Sequence, residues 1–418
     1  MDKIRIVGEK RLSGQVEVSG AKNAALPILI SSLLSEKECR FDRVPDLQDI
    51  RTTLKVLRHL GVSSKVVGST VTLNGQSIAS TEAPYDLVRT MRASVWVLGP
   101  LLARMGHAKV SLPGGCAIGA RPINFHLEGL KKLGAQIELE NGYVVAKANR
   151  LQGARVAFEF PSVGATANLM MAATLAKGET VLEGCAKEPE MTDLGNALKA
   201  MGAQIEGHGS DVIRIQGKDS LSGCHHPIMG DRIEAGTYLA SAVLTQGDVK
   251  VLGISPDALE AVLVQFEQIG AVVERDLKGL SIRLQMKQRP QATNLTTLPF
   301  PGFPTDMQAQ MMAVLCLASG TSTVRETIFE NRFMHVPELL RLGADIQVKG
   351  NTAVIRGVES FTGAPLMATD LRASASLILG GLAAKGETIV NRVYHLDRGY
   401  EKLETKFKAL GAEIERIA

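Results

Sequence analysis

The sequence predicts an α/β protein assembled from six βαβαββ-like repeats, and three observations carry that prediction. The phrase Leu-Gly-Ala, or a close relative, ends an amphipathic helical pattern six times. The glycines are Gly61, Gly134, Gly202, Gly270, Gly343 and Gly411, spaced 73, 68, 68, 73 and 68 residues apart. Self-similarity at a fixed period marks one supersecondary unit used again and again. Each of these helices is preceded by a second helical stretch that is apolar nearly all round, as expected of a helix buried on every side. Short alternating segments such as QIELENGYVVA follow, with the period of half-buried strands.

Taken in order, the chain opens on a charged, strand-like segment, MDKIRIVGEKR. The first buried helix is expected from Ala24 (AALPILISSLL), just after Lys22-Asn23. The second runs from Ala93 (ASVWVLGPLLA) after Arg92, and the third from Ala165 (ATANLMMAATLA) after Ser162-Val163-Gly164. In the second half AGTYLASAVL starts at Ala235 after Asp231-Arg232. AQMMAVLCLA starts at Ala309 after Thr305-Asp306, and ASASLILGGLAA at Ala373 after Asp370 and Arg372. Gly178, Gly247, Gly320 and Gly386 are expected at the C′ position of four of these helices. Strands TVLEG, DVKVLG, TSTVRE and TIVNRV come next, then the amphipathic helices. Strands are therefore expected outside and buried helices within.

The copies differ at the starts of their helices. Met91-Arg92-Ala93-Ser94 and Leu371-Arg372-Ala373-Ser374 are near-duplicates, and amphipathic helices open on Arg121-Pro122, Arg332-Phe333 and Arg398-Gly399. Helix N-termini present N–H groups and a partial positive charge, so they attract anions. Any one of these residues reads as an ordinary cap or solvated helix end. The set, aligned by repeat position and rich in arginine, reads as a polyanion site.

Composition narrows the function classes. A formal net charge of +4 over 418 residues, with no basic run, speaks against a nucleic-acid surface. No stretch of 18 or more apolar residues occurs, and the first segment has no apolar core of a leader, so a cytoplasmic chain without a membrane partner is expected. Five scattered cysteines, never spaced as CxxC, fit a reducing compartment. Cys224-His225-His226 reads as a loop rather than a metal cluster, because adjacent side chains rarely converge; no metal and no cofactor is expected. Neither a Walker loop nor G-x-G-x-x-G occurs, which disfavours a nucleoside-triphosphate or dinucleotide enzyme.

The first half carries an insertion before its second amphipathic helix, Leu112-Pro113-Gly114-Gly115-Cys116-Ala117-Ile118-Gly119-Ala120-Arg121-Pro122. A glycine-flanked cysteine followed by arginine reads as an accessible thiol whose pKa the guanidinium lowers. With this loop, SGAKNAALP, SVGAT, FPTDMQAQ, ENRFMHVPEL, ATDLRASAS and HLDRGYE resemble the UDP-N-acetylglucosamine enolpyruvyl transferase family over essentially the whole chain. The resemblance implies two inside-out α/β barrels of three repeats each. One spans 22–229 and carries the 112–122 loop; the other combines 1–21 with 230–418, and the active site lies in the cleft between them. The oligomeric state stays open. So do two other readings: the shikimate-pathway enolpyruvyl transferase, which lacks the cysteine loop, and a non-catalytic repeat scaffold.

The implied reaction moves the enolpyruvyl group of phosphoenolpyruvate to the 3′-hydroxyl of UDP-N-acetylglucosamine, releasing phosphate by addition and elimination, in peptidoglycan synthesis. By resemblance Lys22, Arg121 and Arg398 surround the phosphate, with Asn23 nearby, and Arg332 and Arg372 lie on the carboxylate side. Cys116 is the implied general acid and the implied target of the epoxide fosfomycin. Asp306 is the implied acceptor of the sugar proton, and Asp370 a second candidate that reads better as a helix cap. The implied UDP-sugar contacts are Asn23, Arg92, Arg121, Pro122, Ile123, Asn124, Phe125, Ser162, Val163, Gly164, Asp306 and Ile328. Where some relatives carry RPVDL this chain has Arg121-Pro122-Ile123-Asn124-Phe125, and Phe160-Pro161 stand where lysine and valine precede SVG; both changes fall at the nucleotide end.

Overall fold

A helix that ends on glycine can turn its last carbonyls back onto the chain, because glycine enters the left-handed region without a Cβ penalty. All six Leu-Gly-Ala segments do this in the computed structural model, which describes residues 2–88, 91–112 and 123–418, with the Arg92 side chain left aside. The six glycines have φ between 91° and 103°. In every copy the glycine N–H bonds three residues back and the next N–H five back. Gly202 N–H reaches the Lys199 carbonyl at 2.8 Å, and Ala203 N–H reaches Leu198 at 3.0 Å. The residue before each glycine (Leu60, Leu133, Met201, Ile269, Leu342 or Leu410) is wholly buried and anchors the turn.

The buried helices end differently from the sequence expectation. Val163–Ala173, Arg232–Leu244, Gln308–Cys316 and Leu371–Ala383 stop three to five residues before Gly178, Gly247, Gly320 and Gly386. These glycines lie in the turn that leads into the next strand, and at Gly247 it is the preceding Gln246 that takes positive φ. The correction has a simple cause. A helix apolar on all sides gives no periodicity by which to locate its end.

The chain is mixed α/β. Six four-stranded sheets among the described residues share one pattern of pairing, a parallel step followed by two antiparallel ones. In one, Arg155–Ala157 lies parallel to Glu179–Glu183, which pairs antiparallel with Val212–Gln216, which pairs antiparallel with Gln204–Glu206. The parallel step needs a crossover, supplied by the buried helix Val163–Ala173. Of the two antiparallel steps only that between Gln204–Glu206 and Val212–Gln216 is a hairpin, since the helix Pro189–Ala200 follows Glu179–Glu183. Strand residues alternate, so that Ile213 and Ile215 face inward and are wholly buried while Arg214 and Gln216 face out.

Two units emerge, residues 2–19 with 230–418 and residues 20–229 as far as described. Each contains three buried helices that pack on one another under their sheets. In the first unit these are Arg232–Leu244, Gln308–Cys316 and Leu371–Ala383. The amino-terminal segment belongs here because its strands complete two sheets. Lys3–Val7 pairs with Glu387–Asn391 and Glu413–Ile417, and Ser13–Glu17 pairs with Asp248–Leu252. In the other unit the last strand, Cys224–Pro227, returns to lie parallel to Glu38–Asp42 and closes that unit on its own beginning.

Candidate active site

In the first unit the starts of two buried helices converge on one carboxylate. Asp306 lies in the 3-10 turn Thr305–Met307 that leads into Gln308–Cys316. Its Oδ1 accepts from Arg332 Nη2 at 2.6 Å and its Oδ2 from Arg372 Nη2 at 2.8 Å. Both arginines are buried, 4% and 5% exposed. Two buried guanidinium groups face the Asp306 carboxylate, and Asp231 is a further acidic group acting on Arg372. Among the described residues Arg332 Nε has no hydrogen-bond partner, and each arginine engages Asp306 through one terminal nitrogen. Burial opposes the charge on Arg372, but Asp306, Tyr400 and Asp231 together outweigh it and the guanidinium pKa is raised. Arg372 stacks over Tyr400 at 6.0 Å, whose hydroxyl meets Thr237 at 2.8 Å and accepts from Gln310 at 3.3 Å.

Asp370 is a cap. Its Oδ1 accepts from the backbone N–H of Arg372 at 2.8 Å and of Ala373 at 3.0 Å, fixing the first turn of Leu371–Ala383. Arg398 ends the 3-10 helix Val393–Arg398, half-buried, and its charge reaches His395, as does that of Asp370. Ile328 donates its N–H to Glu326 at 2.7 Å. The sequence reading missed Glu326, His335 and the buried Gln310. Glu326 and Gln310 take hydrogen-bond partners from other elements, and His335 is buried with its Nε2 unmet among the described residues. Burial pushes His335 down to about 4, with Asp370 pulling up and Arg332 pushing down.

In the other unit Lys22 opens the helix Lys22–Ser31 and its ammonium lies 3.3 Å from the buried Asp49. Asn23, beside it, is half-buried. Ser162 caps Val163–Ala173 by accepting from Ala165 N–H at 3.3 Å. Gly164 sits where a Cβ would come within 3.1 Å of His126 Nε2 and 3.2 Å of Trp96 Nε1, so only glycine fits without a shift. This packs the start of Val163–Ala173 against Asn124–Lys132 at His126. His126 Nδ1 bonds the Asn168 amide at 3.0 Å, and burial pushes its pKa down to about 4. Asn124 is exposed, Ile123 is half-buried, and Phe125 meets Phe158 edge-on at 6.4 Å. Phe160 is 47% exposed. Cys116, Arg121, Pro122 and the Arg92 side chain lie outside the described residues, although Arg92 begins the 3-10 helix Arg92–Val97.

Cys224, His225 and His226 do not converge. His225 pairs with Asp42 at 2.5 Å and His226 with Asp193 at 2.9 Å, on alternate faces of the strand, while Cys224 stands opposite Cys39. Among the described residues no group of three or more His, Cys, Asp or Glu is placed to hold a metal ion, and no helix is long and apolar enough to cross a membrane.

A family model described as EPSP synthase (3-phosphoshikimate 1-carboxyvinyltransferase) matches residues 6–407. A Psychrobacter sp. protein named UDP-N-acetylglucosamine 1-carboxyvinyltransferase is 54% identical over 420 residues, covering 100% of this chain and 97% of its own. A protein of the same name from Nitratidesulfovibrio vulgaris is 56% identical, with 100% of both chains covered. Among solved structures, the enolpyruvyl transferase NikO from Streptomyces tendae matches with a TM-score of 0.89 at 26% identity, covering 99% of this chain and 98% of that one. EPSP synthase from Acinetobacter baumannii matches at 0.77 and 19% identity over 100% of both chains, a likeness of fold alone.

Proposed function

The chain belongs to the EPSP synthase family, and from that premise we propose that it transfers the enolpyruvyl group of phosphoenolpyruvate to the 3′-hydroxyl of UDP-N-acetylglucosamine, releasing phosphate. Relatives at 54–56% identity over the whole chain favour this acceptor over shikimate 3-phosphate. We read the six four-stranded sheets and their buried helices as six copies of one βαβαββ unit, three in each inside-out barrel. The observation that carries the reaction is Asp306 held between Arg332 and Arg372 at two helix starts.

Phosphoenolpyruvate brings a phosphate and a carboxylate. Arginine forks suit both, since each binds two oxygens at once. When the anion enters, Arg332 and Arg372 turn donors toward its carboxylate and loosen their hold on Asp306. The Asp306 carboxylate becomes more basic as those cations are shared. It then takes the proton of the sugar hydroxyl while the oxygen attacks C2 of the enolpyruvate. Cys116 delivers a proton to C3. In the elimination the Cys116 thiolate takes a proton back from C3, the double bond is restored and phosphate is expelled, its charge neutralised by Lys22, Arg121 and Arg398. Asp306 works as a base only in step with the bond it helps to form, because a carboxylate is far weaker than an alkoxide. The nucleotide is taken by Arg92, the 121–125 segment and Ser162–Gly164, with Asn23 and Ile328 at the sugar. Asn124 offers an amide to the uracil edge in place of a carboxylate. We place the reaction in the cytoplasm.

Phosphate release from phosphoenolpyruvate, measured with each acceptor in turn, tests the proposal. Release that depends on UDP-N-acetylglucosamine is expected; release that depends on shikimate 3-phosphate instead would reverse it.

A further inference from the structure

Glu326 follows the strand Thr321–Arg325 and is 2% exposed. Its two oxygens accept four hydrogen bonds from three separate stretches of chain. Oε2 accepts from Thr305 Oγ1 at 2.9 Å. Oε1 accepts from Thr297 Oγ1 at 2.8 Å, from Ile328 N–H at 2.7 Å and from Phe329 N–H at 3.2 Å. Thr305 is the residue before Asp306, and its carbonyl also receives Arg332 Nη2 at 3.4 Å. The turn that bears Asp306 and the segment that runs from Ile328 to Arg332 are therefore tied twice, once through Glu326 and once through Arg332. A buried carboxyl group meeting all its partners within 3.2 Å fixes position more tightly than apolar packing does, because moving any partner leaves a buried polar atom unmet.

We propose that Glu326 is a positioning residue for the reaction. It sets the Asp306 turn in register with Ile328 and Arg332, so that the proton acceptor and the sugar contact move as one piece. This rests on the functional reading above. Glu326 does not touch the reacting atoms. Its contribution is the placement of Asp306, and a misplacement on the ångström scale costs about 10²-fold in rate.

A double-mutant cycle with the full-length chain tests this. Glu326→Gln keeps the shape, but an amide cannot accept from Thr305 while its carbonyl oxygen serves the other three donors. It should lower kcat by about tenfold to a hundredfold, with KM for phosphoenolpyruvate changed less than about twofold. Thr305→Val, which removes one hydrogen bond and keeps the volume, should do the same to a smaller degree, and it serves as the test should Glu326→Gln fold poorly. Asp306→Ala should lower kcat by about 10²–10⁴-fold. In that background Glu326→Gln or Thr305→Val should cost less than about twofold more, since there is no longer a carboxylate to place. Equal losses in both backgrounds, or a loss confined to thermal stability, would overturn the role of Glu326 while leaving the transferase reading intact. A wild-type chain inactive with both substrates would overturn both.

Discussion

Cysteine chemistry separates cleanly by residue. Burial pushes the Cys185 and Cys316 thiols up to about 12, where almost no thiolate forms at neutral pH. The hydrogen bond between the Cys39 and Cys224 thiols, on neighbouring strands, raises the pKa of Cys224 and lowers that of Cys39, but Cys39 is wholly buried and out of a reagent's reach. The reactive thiol assigned to Cys116 is therefore expected to have no competitor. Peptide mapping after brief treatment with fosfomycin should show one adduct, on Cys116, and none on Cys185 or Cys316. Cys116→Asp should keep activity, since a carboxylic acid also donates a proton, and become insensitive to the epoxide. Main labelling elsewhere would contradict the assignment. At this scale the sequence was informative about place in the repeat: Lys22, Ser162, Asp306 and Arg372 all stand at starts of buried helices. It was silent on Glu326, His126 and His335. Their hydrogen bonds or their burial come from elements distant in sequence, and nothing local marks them.

At the scale of the element, the Leu-Gly-Ala ends were legible because each is a local chemical device. A buried apolar residue, a left-handed glycine and a small residue suffice to reverse the chain within five positions. The strand pairings of Lys3–Val7 and Ser13–Glu17, with partners hundreds of residues away, were not legible, because register depends on which edges remain open once the rest has folded. The glycine argument can be tested where space plays no part. At Gly343, φ is 96° and an added Cβ would meet nothing within 4 Å. Gly343→Ala should destabilise the chain by about 1 kcal/mol through backbone strain alone. Gly343→Asn should cost less, because asparagine tolerates the left-handed region. Urea unfolding of the three proteins reads this directly, and an alanine variant as stable as the parent would remove the explanation.

For the whole molecule, His126 in one unit and His335 in the other are buried with pKa values pushed down to about 4. An unfolded histidine titrates near 6.5, so below that pH the unfolded chain takes up protons that the folded chain refuses. Stability should fall as pH drops from about 6.5 toward 4, by about 3 kcal/mol for each histidine. Glu234 works in the opposite sense. Burial raises it to about 7 against the pull of Lys406, so protonation there favours the folded state over part of the same range. Two groups outweigh one, and the net change is a loss. Urea midpoints at pH 7 and pH 5 check it, and a midpoint that held steady or rose would show that the histidines are not buried neutral.

The central claim, that this chain makes an enolpyruvyl ether at one sugar oxygen, is tested most directly by proton NMR of the product. Incubation with phosphoenolpyruvate and UDP-N-acetylglucosamine should yield two vinylic protons on a sugar substituted at its 3′ oxygen, one ether for each phosphate released. Phosphate released with no ether formed, or an ether formed on shikimate 3-phosphate instead, would contradict it.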